Sequence, residues 1–335
     1  MNKTRIVYSP AALGAAGAAA VLFAGVELAW GSGGSLLLAL TVWTCIAEGC
    51  VALIAAAEMC NARWTEPVKR RLLSVYPLIA LMAPLFLLTS FRIDTYPWAG
   101  GENAWLNRNF FLGRNVVWLL LTFASAHLFA ADSIAGNARR KRSAVVYLLL
   151  FAVSQSLVAF DWIMSLEYPW FSTLFGLYFG VESLYAAIAL AALYIIMRSG
   201  QLPKKTLQDV ATVLFGFSLF WAGLFYAQFL VIWYGNLPEE AGYVFRRVYE
   251  APWAPFAKAV LALLFVLPFA ILASRRTKRI APVVVLVTLM VFAGLVIEKI
   301  ILIDPAAPIA VLPAVLQLLL LGGAFAALVR SAPSE

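Results

Sequence analysis

Charge is scarce in this sequence: of 335 residues only 13% are charged, while 63% are hydrophobic. Soluble domains carry about a quarter of their residues as charges. A water-soluble globule is therefore excluded, and the outer surface calls for lipid. Histidine is scarcer still. Its one occurrence, His127, excludes a bis-histidine haem or a histidine-rich metal centre held within this chain. The three cysteines, Cys45, Cys50 and Cys60, lie in or at the end of one apolar run and show no CxxC spacing. Neither a disulfide framework nor an iron–sulfur site is expected from them. The N-terminal stretch MNKTRIVYSPAALG leads into a full-length apolar run without a polar cleavage region, so a cleaved signal peptide is not expected either.

What the chain does have is long apolar runs. A helix crosses the bilayer core with about 20 apolar residues. Runs of that kind lie near residues 10–30, 35–60, 72–91, 110–135, 143–165, 171–197, 206–234, 253–274, 280–303 and 308–330. The chain therefore reads as an all-α integral membrane protein with ten transmembrane helices. Breakers such as GSGGS, TEPVKRR, GNARRKR, SGQLPKK, LPEE and DPAAP separate the runs. Orientation follows from the 25 Lys and Arg residues. With the N-terminus in the cytoplasm, only Arg92, Arg108, Arg246 and Arg247 fall outside, and Arg114, Lys258 and Lys299 fall within spans. All the others fall on the cytoplasmic side, so both termini are expected there. The net charge of +8 reads as a topology signal that also meets anionic lipid, with no nucleic-acid role.

An ionisable group inside a span is costly, about 3 kcal/mol on insertion scales, and marks a candidate site. By estimated depth, Glu48, Glu182 and, less centrally, His127 lie near the middle. Glu27, Arg114, Asp161, Lys258, Glu298 and Lys299 lie toward the outside, and Glu58, Asp132 and Asp209 toward the cytoplasm. Helical spacing adds three polar stripes: Tyr147, Ser154 and Asp161; Tyr178, Glu182 and Tyr185; and Thr41, Cys45 and Glu48. Each stripe is expected to face the bundle interior. Spans two to five and six to nine would form two four-helix units pointing the same way, with Glu48 and Glu182 midway along the first helix of each. In the turn FDWIMSLEYPWFST, Trp162, Tyr168 and Trp170 suit an outer aromatic belt, and Ser172 or Thr173 can cap the next helix.

These residues admit more than one role. Glu48 and Glu182 suit either protonated structural acids bonded to a neighbouring helix or a proton or quinone role. Asp161 is an interfacial cap or a transfer group, and His127 a proton carrier or a satisfied interhelical hydrogen bond. Lys258 can snorkel outward. As a relay, protons would pass from Glu58 and Asp132 through Glu48 and His127 to Asp161. A second route would run from Asp209 through Glu182 toward Lys258 and Glu298. A secondary transporter with midplane acids and a passive membrane anchor are the alternatives. The outer loops RIDTYPWAGGENAWLNRN and LPEEAGYVFRRVYEAPW mix aromatics with both charge signs, as docking surfaces for extracytoplasmic partners do.

Two segments carry a resemblance. SLVAFDWIMSLEYPWFSTLFGLYF, from Ser156, and YAQFLVIWYGNLPEEAGYVFRR, from Tyr226, followed by LPFAILASRRTKR from Leu267, occur in that order. They resemble the second large membrane subunit of alternative complex III, a quinol:electron-acceptor oxidoreductase. That subunit belongs to the polysulfide-reductase membrane-subunit (NrfD-like) superfamily. The resemblance implies two four-helix bundles, residues 35–165 and 171–303, flanked by helices at 10–30 and 308–330. It implies a place in a bacterial cytoplasmic membrane beside a paralogous NrfD-like subunit, an iron–sulfur subunit and haem c subunits. The chain itself would bind no cofactor, with quinone or quinol engaged at the level of the complex, and would conduct protons. Glu167, Trp170, Ser172 and Thr173, together with Asp161, match the first motif; Gln228, Trp233, Asn236, Glu239 and Glu240, together with Pro238, match the second. One departure stands out: the family often reads Glu-Pro-His-Trp where this chain has Glu167-Tyr168-Pro169-Trp170, so the turn lacks the histidine that a proton exit would use.

Overall fold

The computed structural model describes residues 6, 8–101, 103–198 and 204–331, and among them every regular element is a helix. Ten helices are long and apolar enough to cross a membrane: α1 (Pro10–Trp30), α2 (Gly33–Cys60), α3 (Pro77–Thr95), α4 (Arg108–Ala135), α5 (Arg140–Glu167), α6 (Phe175–Met197), α7 (Lys205–Gly235), α8 (Trp253–Leu272), α9 (Ala281–Ile303) and α10 (Val311–Ser331). The chain is an all-α, multi-pass membrane protein. Among the described residues, ten crossings bring the start of α1 and the end of α10 to one face, the terminal face. The opposite, loop face carries residues 96–101, 103–107 and 236–252.

Local chemistry sets the ends. Ser9 caps α1 by accepting from the Ala12 amide at 3.1 Å, with Pro10 in the first turn, where its missing N–H is no loss. Ser32 and Ser35 form a reciprocal capping box on α2, which ends at Asn61 in the left-handed region (φ 53°). Gly136, at φ 67°, closes α4 in the same way. The third span begins later than the apolar run near 72–91 suggests, because Pro77 starts it and Lys69–Leu73 form a separate short helix. Inside it, Pro84 withholds a backbone donor, and the last part, Leu87–Thr95, tightens into a 3₁₀ turn.

Helices α2 to α5 pack in a ring, α6 to α9 pack in a second ring, and the rings join where α2 meets α6, with α5 and α9 alongside. Helices α1 and α10 pair with each other; α10 lies against α2, and α1 touches α3. Across its most apolar window α2 is 94% buried, against 28% for α1, so α2 is the axis of the molecule and α1 a peripheral element. Close approach of α2 and α6 depends on Gly49: a Cβ there would overlap the Ser183 carbonyl.

Two helices widen into π turns, α5 at Val158–Ile163 and α8 at Ala262–Val266. In each, a carbonyl is bonded by a buried tyrosine from another helix or loop: Tyr96 donates to Trp162 O and Tyr185 to Leu264 O, both at 3.1 Å. From that π turn to the terminal face α8 packs against α7, with Phe215 stacked on Phe269 at 5.4 Å. Toward the loop face α7 and α8 part. An amphipathic helix, Pro238–Val248, covers that end of the second ring.

Candidate functional site

Four buried charged residues, Glu48, Glu182, Glu298 and Lys299, gather where the two rings meet. On α2, Glu48 is fully buried and turns toward α5. Ser154 Oγ donates to its carboxylate at 2.8 Å and Gln155 Nε2 at 2.7 Å, while the Tyr147 hydroxyl donates to its backbone carbonyl at 2.8 Å. The other end of the Gln155 amide crosses to the second ring. Its Oε1 accepts from Ser183 Oγ on α6 at 2.8 Å and from Cys45 Sγ on α2 at 3.4 Å. A single amide therefore ties α2, α5 and α6 together.

The second half of the cluster lies between α6 and α9. The Lys299 ammonium is bonded to Glu182 and lies 3.5 Å from the centre of the Phe179 ring. The Tyr178 hydroxyl is bonded to Glu298, and Glu298 and Glu182 face each other closely enough to feel each other's charge. Cys45 lies within the electrostatic reach of Lys299, and both line a crevice of about 30 Å³ between the rings. That is room for one or two waters. Glu182 Oε1 and Glu298 Oε2 are buried without a hydrogen-bond partner. Glu48, Gln155, Cys45, Lys299, Glu182, Glu298 and Tyr178 thus form a polar band across the ring interface, with two steps, Cys45 to Lys299 and Glu182 to Glu298, made through space. Two carboxyls around one ammonium reach neutrality with a single proton between them, and burial favours that balance.

Glu298 also belongs to the wall of a cavity of about 110 Å³ between α6, α7, α8 and α9 at their loop-face end, under the covering helix. Trp170 stacks on Tyr243 of the covering helix with centroids 3.7 Å apart, and the Arg247 guanidinium lies 3.8 Å from the centre of the Tyr243 side-chain ring. Arg247 reaches back to Glu167 at 2.7 Å, with Arg246 at 3.4 Å. Burial pushes the Tyr243 phenol up to about 12, against the nearby Arg247 charge.

Other predicted residues lie apart from the band. Asp161 is held by Arg114 through two 2.7 Å bonds and by Asn115 at 2.7 Å, and the guanidinium lies over the Trp105 ring at 4.4 Å. Asp161 is therefore anchored to α4 and separated from the Glu48 cluster. His127 is exposed, its Nδ1 2.9 Å from Tyr76 Oη beside Ile6 and the terminal face, so it does not bridge Glu48 to anything. Glu58 lines a polar cavity of about 440 Å³ at the terminal face, with Lys69 at 2.6 Å, Ser133 at 2.5 Å and Arg140 at 3.9 Å. Ten residues of α2, about 15 Å, separate it from Glu48, and Val51, Ala52, Ile54 and Ala55 between them are buried and apolar. Asp132 bonds Asn137 at 2.8 Å. Asp209 lines a surface pocket with Lys205, Gln208 and Arg279, far from Glu182 in depth. Lys258 is exposed on α8, and Tyr185 serves the α8 π turn. These positions correct the expected relays, which routed protons through His127, Asp161, Asp209 and Lys258.

Among the family-motif residues, Ser172 bonds Gln228 at 3.4 Å, while Thr173, Trp233 and Asn236 are exposed; Asn236 ends α7 at φ 48°. Glu240 lies half-buried on the covering helix, and the Glu239 side chain, like Glu102 and Arg198, falls outside the described residues. Gln155 and Ser183 fall outside the helical stripes expected from spacing. Each directly follows a predicted site residue, Ser154 and Glu182, so a polar pair rather than a lone polar residue was the signal available. Trp221, Tyr243 and Arg247 carry no such mark in an aromatic-rich chain.

Among the described residues no three His, Cys, Asp or Glu side chains gather into a group that could hold a metal ion. No protein-family model matches the chain, and no curated protein is significantly similar to it.

Proposed function

We propose that this chain is a cofactor-free membrane subunit of a bacterial quinol:electron-acceptor oxidoreductase of the alternative complex III kind, and that its buried acids carry protons across the interface of its two helix rings. The single observation that supports this reading is the band from Glu48 to Glu298: three carboxyls, one ammonium and the donors between them, buried where the rings meet. A desolvated carboxyl alternates between neutral and ionised forms when a neighbouring charge changes. In the Glu182–Lys299–Glu298 group one proton suffices for neutrality, so its arrival or departure shifts the balance of all three.

In this reading the basic terminal face lies in the cytoplasm, by the bias of Lys and Arg. The loop face receives the haem c and iron–sulfur subunits, and a paralogous subunit and lipid surround the helices. Glu58, in its polar terminal-face cavity, takes up protons from the cytoplasm. The apolar stretch of α2 above it requires a transient water chain to reach Glu48. The test is purification of the native assembly followed by reconstitution in vesicles. Haem-bearing partners are expected to co-purify, and Glu48→Gln and Glu182→Gln are expected to lower proton translocation while assembly persists. A lone chain that moves a solute would replace this reading with a transporter. Full translocation by both variants would leave a passive scaffold.

A further inference from the structure

The connection between α8 and α9 reads Ser-Arg-Arg-Thr-Lys-Arg from Ser274, and its last turn, Thr277–Arg279, packs on α7. Arg279 reaches along α7 and donates to Gln208 Oε1 at 2.8 Å. Lys278 goes the other way: its ammonium lies 4.4 Å from the centre of the Phe215 ring, and the residue is 8% exposed. Among the described residues no carboxylate bonds Lys278 or Arg275, and the Arg275 charge acts on Lys278. Burial first, and Arg275 second, lower the pKa of Lys278 from its ordinary value. The ring face offsets part of the cost of covering the ammonium. A covered cation beside a second cation still calls for an anion.

Depth identifies the class of anion. Phe215 stacks on Phe269, which lies about 5 Å short of the end of α8 at Leu272. The Lys278 ammonium therefore stands at the boundary of the hydrocarbon on the terminal face. Helix α7 continues from Phe215 to Lys205 for about 15 Å more, so Lys205, Gln208 and Asp209 stand clear of that boundary. A water-borne anion meets the exposed Arg276 and Arg279 first, and a pocket of about 430 Å³ where Lys205 and Arg279 already face Asp209. It gains nothing from the apolar side chains at the level of Lys278 and below it. Val266 and Phe269 on α8 and Leu219 on α7 are exposed within their spans. A phospholipid uses both features: its phosphate reaches a cation at this level, and its acyl chains cover those side chains.

We propose that Lys278 and Arg275 seat the phosphate of an anionic phospholipid against α7 and α8 on the terminal face. The ammonium and the guanidinium donate to phosphate oxygens, the repulsion between the two cations is relieved, and the acyl chains run along the Phe215–Phe269 stack. An anionic headgroup brings a net negative charge, whereas a zwitterionic one carries its own ammonium. The seat is a single place on the molecule, distinct from the diffuse pull of a basic face on anionic lipid. It also has a structural consequence. Helix α8 is the least buried of the ten spans, at 22% across its most apolar window, and a lipid held here fastens its terminal end to α7. No residue of the polar band takes part, so the site stands apart from the oxidoreductase reading.

Native mass spectrometry of the full-length chain, delipidated in detergent and titrated with phosphatidylglycerol or phosphatidylcholine of matched acyl chains, tests this. The unaltered chain is expected to retain one phosphatidylglycerol at concentrations where phosphatidylcholine is lost. Lys278→Met is expected to weaken that binding about tenfold, the loss of one charge-assisted hydrogen bond. Lys141→Gln removes an equal charge from an exposed position on α5 at the same face and is expected to leave it unchanged. Arg275→Gln, also at an exposed position, is expected to weaken it about threefold and keeps the site testable if Lys278→Met folds poorly. Equal retention of the two lipids, or equal weakening by Lys141→Gln, overturns the site. Displacement of the lipid by millimolar inorganic phosphate would assign the two cations to a free anion, and displacement by an octaglutamate peptide to an acidic protein segment. Either result overturns the lipid.

Discussion

Glu48 and Glu182 occupy matching places, each on the first helix of its ring and each held by the last helix of the same ring, yet their surroundings differ. Glu48 faces neutral donors, Ser154 and Gln155 on α5. Glu182 faces a cation, Lys299 on α9, with a second acid, Glu298, one residue before it. The same geometry thus offers two electrostatic states. One site holds a carboxyl by hydrogen bonds alone and changes its net charge when it takes a proton. The other spreads a proton and a cation over two acids, so one transfer there rebalances a group. Gly49 and Ser183, in contact between the two acids, keep the sites close enough to interact.

Breaking the charged site is expected to have the largest effect. Lys299→Met leaves two acids buried against each other, and stability in detergent is expected to fall by about 3–5 kcal/mol, the usual result of orphaning one partner of a buried pair. Adding Glu182→Gln to Lys299→Met is expected to restore much of that loss in thermal unfolding. A double variant no more stable than the single one would show that Lys299 acts by packing on Phe179 rather than by charge. Next in size, Gln155→Leu removes the amide that joins the rings and leaves Glu48 and Ser183 short of partners. A loss of about 1–3 kcal/mol is expected in the same assay. Ser154→Ala removes one neutral hydrogen bond to Glu48 and is expected to cost about 1 kcal/mol. Smallest is Glu58→Gln, whose carboxylate sits among Lys69, Ser133 and Arg140 at the terminal face. Stability is expected to shift by less than about 1 kcal/mol, while proton uptake slows in stopped-flow measurements with a pH indicator. Unchanged uptake would remove Glu58 from the route.

The spans were legible in the sequence because lipid imposes length and polarity together. The run near 10–30 is α1, and the one near 206–234 is α7 to within a residue at each end. Stripes were legible where helices are regular. Tyr178 and Glu182 both face α9, and Tyr147 and Ser154 both face Glu48. Asp161 shared their seven-residue spacing, but the π turn at Val158–Ile163 inserts a residue into the helical count and swings the acid round to α4. Nothing in the residues of that segment announces such a turn. Tyr185 illustrates the same limit: the pattern marked a polar residue inside the bundle, but its target is a carbonyl in the π turn of α8. The covering helix was readable in hindsight, with Pro238, Glu239 and Glu240 at its start and Arg246 and Arg247 at its end, as the helix dipole favours. Its role over a cavity depends on the parting of α7 and α8, which no local pattern records.

The most direct test of proton carriage is infrared difference spectroscopy of the assembled complex during quinol-driven turnover, read in the stretching region of protonated carboxyl groups. If the ring interface carries protons, the native complex shows a buried carboxyl band that appears or vanishes with turnover, and Glu48→Gln or Glu182→Gln removes part of it. A spectrum with no carboxyl change, or one that both variants leave intact, would contradict proton carriage by these acids.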